Sequence, residues 1–246
     1  MNPQSRYQKD LDEGLIAEDE QQRRVVSCLQ LLFDELVTKE AIKPGFRAAL
    51  WRWFGAEERP NVATPGIYLW GGVGRGKTYL MDLFYDCLPF ERKLRTHFHR
   101  FMQRVHQDLV RHQGASNPLE LLADRIAAEA LVVCFDEFLV LDIADAMILS
   151  GLFEALFERQ VVLVTTSNIH PDRLYENGLQ RQRFLSAIAL IKDHTSVIEL
   201  LPGTDYRLRN LRQATLYHCP VNDKTEALLL QSFYALAPDK SEIHER

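Results

Sequence analysis

The chain has 246 residues, 46% of them hydrophobic, which is enough to bury the core of one large domain or two modest ones. Its formal net charge of -5 argues against a uniformly basic nucleic-acid-binding protein. The four cysteines form no CxxC pair, so we expect reduced thiols in a cytosol-like compartment. No apolar stretch approaches the roughly 18 residues of a membrane-spanning helix, and acidic residues near the N-terminus exclude a secretory signal.

The N-terminal quarter leads into a more regular region. Apolar residues over 21–37 recur with the 3.6-residue period of an amphipathic helix. A looser segment with several prolines follows, and its aromatic residues Trp51, Trp53 and Phe54 are interpreted as packed core. We assign residues 1–62 to a helical lead-in.

From residue 63 to 205, strand-like apolar runs alternate with helix-like segments. This alternation predicts βαβ crossovers and a doubly wound, parallel α/β sheet with helices on both faces. The predicted strands are 67–70, 94–98, 131–135, 161–166 and 195–200, and the predicted helices are 77–87, 100–112, 119–130 and 143–158. Residues 206–246, with a strand-like run at 216–219 and a helix-like run at 224–234, are interpreted as the start of an incomplete C-terminal region.

The segment after the first predicted strand has the Gly-x4-Gly-Lys-Thr spacing of a phosphate-binding loop. Glycines let amide N–H groups face the phosphates, and a helix that begins at Lys77 adds the positive end of its dipole. Lys77 is expected to reach the β and γ phosphates of ATP, and the Thr78 hydroxyl to bind Mg²⁺. A glycine-rich surface turn is the alternative, but it would not need the flanking strand and helix. The predicted nucleotide-binding residues are Gly71, Gly72, Val73, Gly74, Arg75, Gly76, Lys77, Thr78 and Tyr79.

Two acidic residues follow the apolar run 131–135. A carboxylate at the tip of such a strand can hold Mg²⁺ together with Thr78 and water, which is the role expected for Asp136. The adjacent Glu137 is predicted to polarise the water that attacks the γ-phosphate. Acids at strand ends also occur as ordinary solubilising residues, but the phosphate-binding loop upstream favours a catalytic pair. A strand-like segment lies between the two motifs, and this order resembles the branch of P-loop proteins in which a catalytic glutamate follows the metal-binding aspartate. The resemblance favours hydrolysis over phosphoryl transfer to an acceptor.

Three further polar residues are candidates for catalysis. Asn168 follows the predicted strand 161–166 and could orient the attacking water, although a local Asx turn before Pro171 is the alternative. Arg181 and Arg183 follow a turn, and one of them is expected to act on a neighbouring subunit's nucleotide as an arginine finger. Two solvated helix arginines are the alternative for these positions.

The motifs together resemble AAA+ ATPases, and within them the ZapE family, which is related to the mitochondrial Afg-type ATPases. The resembling segments are 66–78, 96–102, 135–138, 165–168 and 174–185. The resemblance implies Lys77 and Thr78 as Walker A residues, Asp136 and Glu137 as Walker B, Asn168 as sensor 1, and Arg181 or Arg183 as the arginine finger.

The family also implies a biological setting. It suggests a cytoplasmic, homo-oligomeric ATPase of cell division that acts on FtsZ polymers at the constricting ring, with peripheral association at the inner face of the membrane left open. Ser186 stands where relatives usually have proline. Relatives also continue past the position of Arg246, so we expect a C-terminal lid and a second sensor arginine to be missing here, which would impair assembly and turnover.

Several alternatives stay open. A nucleic-acid ATPase of the helicase-loader type shares these motifs, although no DNA or RNA partner is expected, and a nucleotide-gated adaptor would bind ATP with negligible turnover.

His97 and His99 are expected on one face of a strand, as structural histidines or as part of a nucleotide-signalling segment 96–100. Tyr7 or Gln22 could contact adenine, the alternative being a solvated helix start capped by Asp19.

Overall fold

The computed structural model describes residues 1–41, 64–112 and 114–201. The aromatic cluster at 51–54 and the elements predicted beyond residue 206 lie outside these ranges. The helices are α1 (Pro3–Asp12), α2 (Glu20–Ala41), α3 (Lys77–Cys87), α4 (Phe98–Arg111), α5 (Pro118–Glu129), α6 (Ile143–Glu158) and α7 (Arg181–His194). The strands are β1 (Gly66–Gly71), β2 (Lys93–His97), β3 (Val132–Asp136), β4 (Val162–Ser167) and β5 (Thr195–Leu200), with a 3₁₀ turn at Pro171–Arg173.

The five strands form one parallel sheet in the order β2-β3-β4-β1-β5. The strand that lies between β1 and β3 is β4, whereas β2, which intervenes in the sequence, is an edge strand. A parallel sheet with β1 inside it and strands on both sides confirms the predicted doubly wound α/β fold of the AAA+ type.

Helices cover both faces of the sheet. Alternate side chains of a strand point to opposite faces, so Leu69 and Cys134 pack with α1, α2 and α3, while Tyr68 and Phe135 pack with α4 to α7. Both faces of β3 and β4 are buried throughout, as their near-continuous apolar sequences predict. These elements belong to one compact unit, which among the described residues comprises 1–41, 64–72, 76–112 and 114–201.

The register aligns the carboxyl ends of the strands. Trp70 pairs with Ser167, His97 with Asp136, and Gly71 with Leu200. The residues that directly follow the strands therefore meet along one edge of the sheet, which is where α/β proteins of this kind bind ligands.

Three local features differ from the sequence prediction. The strand ends at His97 and α4 begins at Phe98, so His99 lies on a helix and the expected shared strand face is wrong. The chain turns there because the Phe98 ring is buried against Phe135 and Phe138. Helix α1 was not predicted, although Asn2 caps it by accepting a hydrogen bond from the Ser5 amide (2.8 Å). Helix α7 was not predicted as a continuous helix either.

Candidate nucleotide site at the carboxyl edge of the sheet

The phosphate-binding loop lies between β1 and α3. Gly74 and Gly76 have left-handed backbones, with φ of 77° and 82°, a conformation that glycine adopts without strain. A Cβ atom on Gly71 would lie 2.4 Å from the Leu200 carbonyl oxygen, so this position has no room for a side chain. The Lys77 ammonium donates to the carbonyls of Gly71 (2.9 Å) and Gly72 (2.8 Å), which places its charge over the loop.

Asp136 ends β3 and is buried, with 8% of its surface exposed. Arg95 of β2 donates to both of its carboxylate oxygens, from Nε to Oδ2 (2.8 Å) and from Nη2 to Oδ1 (3.3 Å). The same guanidinium forms an ion pair with Asp82 of α3. Burial lowers the pKa of Arg95, but its hydrogen bonds to Asp136 and Asp82 outweigh this effect, so the pKa lies above its ordinary value.

Glu137 adopts a left-handed backbone conformation with φ of 56°, which is strained for a residue with a side chain. Its amide donates to the Thr166 hydroxyl (3.2 Å), and the next amide, that of Phe138, donates to the Thr166 carbonyl (2.7 Å). Phe138 is buried, which fixes the chain on the other side of Glu137. The β3 end is thus held so that the Glu137 side chain is exposed beside the buried Asp136. Strain of this kind clusters at functional sites.

Asn168 follows β4 at the same edge and is exposed. It lines a cavity of about 510 Å³ together with Trp70 near the end of β1 and with residues 139–141, 173 and 175–178. Ser167 ties this loop to the loop after β3, because its hydroxyl donates to the Phe138 carbonyl (2.8 Å). Among the residues that the structure describes, the Asn168 side chain makes no hydrogen bond, so the alternative Asx turn is not formed.

The two candidate arginines lie in the first turn of α7. This helix connects β4 to β5, so its first turn is at the carboxyl edge of the sheet. Arg181 donates from Nη2 to the Asp172 carbonyl (2.5 Å), whereas Arg183 is exposed. The hydrogen bond from Lys192 (2.8 Å) lowers the pKa of the Asp172 carboxyl. The Asp172 carboxylate therefore stays ionised and bound to Lys192 of the same chain.

The remaining predicted contacts lie on the α1 side of the loop. The Tyr79 hydroxyl donates to Asp10 of α1 (2.7 Å), and the predicted nucleotide contact of this residue stays a prediction. Tyr7 is buried to 3% exposure, which leaves little of its ring for adenine. Gln22 lies against the loop, because a Cβ atom on Gly76 would be 2.5 Å from its Nε2. Asp19 caps α2, accepting from the amides of residues 21 (2.8 Å) and 22 (3.3 Å).

His97 and His99 stack with ring centroids 6.0 Å apart, and both are exposed. Within residues 1–41, 64–112 and 114–201, no group of three or more His, Cys, Asp or Glu side chains could hold a metal ion. A Mg²⁺ held by one carboxylate, one hydroxyl and the phosphates of its nucleotide needs no such cluster. The oxygen ligands that Thr78 and Asp136 offer are of the kind that Mg²⁺ prefers.

Sequence reasoning missed Arg95, Asp82 and Thr166. Arg95 did give a signal, because it is a cation within a short predicted strand. A charged residue that becomes buried in a sheet is normally paired, so its position indicated an acidic partner. Thr166 gave no signal, because its hydroxyl acquires a role only when the loop after β3 crosses the end of β4. The roles of the predicted site residues stay predictions.

The sheet order and the phosphate-binding loop define the class of the protein, a P-loop protein with an AAA+ type fold. A family model described as AFG1-like ATPase matches residues 1–246, so the chain belongs to the AFG1-like ATPase family. This confirms the resemblance stated from the motifs. None of the described helices is long and apolar enough to cross a membrane.

Two relatives show the range of the family. The chain is 50% identical over 246 residues to the cell division protein ZapE of Escherichia coli K12, and the match covers 98% of this chain and 66% of the relative. Lactation elevated protein 1 homolog B of Danio rerio is 41% identical over 184 residues, covering 70% of this chain and 37% of the relative. The chain thus spans only part of the length of these relatives.

The similar solved structures are more distant. AMPPCP-bound DnaA from Aquifex aeolicus is 15% identical with a TM-score of 0.49, covering 88% of this chain and 58% of that chain. A DnaC helicase loader is 10% identical with a TM-score of 0.47, covering 75% and 93%. Similarity at this level carries no argument about ligand or activity.

Proposed function

We propose that the chain binds ATP with Mg²⁺ at the carboxyl edge of the sheet and hydrolyses it. The observation that carries the proposal is the pair formed by buried Asp136 and strained, exposed Glu137 at the end of β3. Thr166 and Phe138 hold the Glu137 backbone at φ 56°. Because the Glu137 side chain is exposed, this strained conformation does not serve to bury it in the core. This conformation presents a carboxylate at the edge of the sheet where the phosphate-binding loop also begins.

Each residue has a distinct part in this proposal. The loop and Lys77 bind the phosphates, and Thr78 with Asp136 would hold Mg²⁺, which supplies positive charge to the phosphates when bound. Glu137 accepts a proton from the attacking water, and the exposed amide of Asn168 can position that water. The hydrolysis of the terminal phosphate needs no acceptor other than water.

Replacing Lys77 with Ala tests whether the loop is the active site. Its ammonium donates to two loop carbonyls, so we expect ATP turnover to fall by about 100-fold or more with weaker nucleotide binding. Lys9→Ala, which removes an exposed lysine of α1, is the control and should change neither. Unchanged hydrolysis in Lys77→Ala would mean that this loop is not the site.

For the arginine finger, the geometry favours Arg183 over Arg181. The Arg181 guanidinium is already bound to the Asp172 carbonyl within its own chain, while Arg183 projects from the first turn of α7 and is exposed. A finger must reach a nucleotide on a neighbouring subunit, so we assign the role to Arg183. The assembly would then be a homo-oligomer with active sites completed between chains.

For the biological setting, the proposal is a remodelling factor that acts on FtsZ polymers during cell division. Its support is the 50% identity to a protein named for cell division, together with the family resemblance of the motifs. The test is ATP turnover by this chain with and without polymerised FtsZ. We expect turnover to rise with polymer, whereas stimulation by single-stranded DNA and not by polymer would favour the helicase-loader alternative.

A further inference from the structure

The side chain of Arg95 lies between the two elements that build the proposed metal site. Its guanidinium uses all three nitrogens: Nε and Nη2 bind the two oxygens of Asp136, and Nη1 pairs with Asp82 of α3. The side chain is 21% exposed, and its Cζ lies 6.0 Å from the centre of the Tyr85 ring. A two-point bond between guanidinium and carboxylate fixes the orientation of the carboxylate as well as its position.

The partner on α3 is placed one helical turn from the other proposed metal ligand. Asp82 follows Thr78 by four residues, so both side chains lie on the same face of α3. Arg95 therefore joins the helix that carries Thr78 to the strand that carries Asp136. The packing of α3 on β3 already brings the two elements together, and the bridge adds a polar connection beside the two proposed metal ligands.

We propose that Arg95 is a positioning residue for Mg²⁺: it holds the Asp136 carboxylate in its metal-binding orientation and ties it, through Asp82, to the helix that bears Thr78. The inference rests on the proposed MgATP site and adds a residue to it. Arg95 contacts neither nucleotide nor ion in this role. Partners that orient metal-binding carboxylates in this way typically change metal affinity or activity by about 10 to 100-fold when they are removed.

The test measures binding of a fluorescent, non-hydrolysable ATP analogue while Mg²⁺ is titrated. In Arg95→Gln, we expect the Mg²⁺ concentration at half-maximal effect to rise by about 10-fold or more, with unchanged analogue affinity in EDTA. Asp82→Asn should raise it less, because the two bonds to Asp136 remain. Arg95→Lys keeps the charge but not the planar fork, and it should shift the midpoint in the same direction even if the Gln variant does not fold.

Arg159 provides a matched control. It also bridges two carboxylates, those of Glu120 (2.6 Å) and Asp124 (2.7 Å), and its side chain has the same 21% exposure, but it joins α6 to α5. Arg159→Gln should leave the Mg²⁺ midpoint at the wild-type value. The proposal is overturned if Arg95→Gln and Arg95→Lys keep the wild-type midpoint, if the midpoint falls because Arg95 repels the ion, or if Arg159→Gln moves it equally.

The same titration separates this inference from the proposed hydrolysis. A wild-type chain that binds the analogue in a Mg²⁺-dependent way but releases no phosphate from ATP would overturn hydrolysis and leave the role of Arg95 standing. A wild-type chain whose analogue binding does not depend on Mg²⁺ would overturn the role of Arg95.

Discussion

At the scale of single residues, the site combines strain with rigid support. Glu137 and Gln160 share left-handed backbones, with φ of 56° and 62°. They lie at opposite ends of their strands, because Glu137 follows β3 and Gln160 precedes β4. Gln160 is therefore far from the proposed chemistry along the sheet, and comparison of the two positions separates the effect of backbone strain from the effect of catalysis.

Replacing Glu137 with Gly should affect stability and activity in opposite directions. Glycine adopts a positive φ without strain, so we expect the free energy of unfolding to rise by about 0.5–1 kcal/mol, measured by urea denaturation. ATP turnover should nevertheless be lost, because the carboxylate is gone. Gln160→Gly is the control and should gain similar stability with full turnover. A Glu137→Gly variant that is less stable than wild type would show that Glu137 serves the fold.

Thr166 is the contact that presents Glu137. Thr166→Val preserves the shape of the side chain but removes the acceptor for the Glu137 amide, so we expect turnover to fall by about 10-fold with nucleotide affinity retained. Thr165→Val, which removes a hydroxyl bonded to the Phe135 carbonyl (3.2 Å), is the neighbouring control. Equal losses of turnover in both variants would mean that general packing, and not the Glu137 contact, matters.

At the scale of elements, α1 is attached to the phosphate-loop helix α3 by a polar contact. The Tyr79 hydroxyl donates to the Asp10 carboxylate (2.7 Å), and Asp10 is 8% exposed. Burial raises the pKa of Tyr79, and the bond to Asp10 raises it further, so the hydroxyl remains a donor throughout the neutral range. The lead-in helices are thus fixed to the residue that directly follows Thr78.

Tyr79→Phe should lower the free energy of unfolding by about 1.5–3 kcal/mol, because it leaves a buried carboxylate without its donor. Tyr85→Phe on the same helix removes a longer bond to the neutral Lys93 carbonyl (3.3 Å) and should cost only about 0.5–1.5 kcal/mol. Urea denaturation followed by circular dichroism measures both. The reverse order of the two losses would contradict the docking of α1 through Asp10.

At the scale of the whole molecule, the alternation of apolar runs was enough to predict the sheet, and α3, α6 and β5 have the predicted bounds. Those elements have strong local signals, such as the glycine-rich loop before α3 and the Asp142 cap of α6. Helix α1 and the contacts of Arg95 were not predicted, because both depend on which elements become neighbours after folding. The domain limits at 62 and 205 stay predictions.

Shared active sites predict that two inactive variants can rescue each other. Lys77→Ala lacks a functional phosphate site and Arg183→Ala lacks the proposed finger, a contribution worth about 10³ to 10⁵ in rate where it operates. A mixed oligomer contains interfaces with both residues intact, so mixing the two should restore measurable ATP turnover. Arg181→Ala mixed with Lys77→Ala should give no such gain if Arg181 serves its own chain. No rescue with Arg183→Ala would place the arginine elsewhere.

The central claim is that Glu137 makes this nucleotide site hydrolytic. The most direct measurement is phosphate release from ATP and Mg²⁺ by the wild-type chain and by Glu137→Gln, with Glu154→Gln, an exposed glutamate of α6, as control. We expect Glu137→Gln to bind nucleotide as tightly as wild type and to hydrolyse it about 10² to 10⁴-fold more slowly, while Glu154→Gln is unchanged. Equal rates of phosphate release in Glu137→Gln and wild type, or no release by wild type, would contradict the claim and favour a nucleotide-gated adaptor.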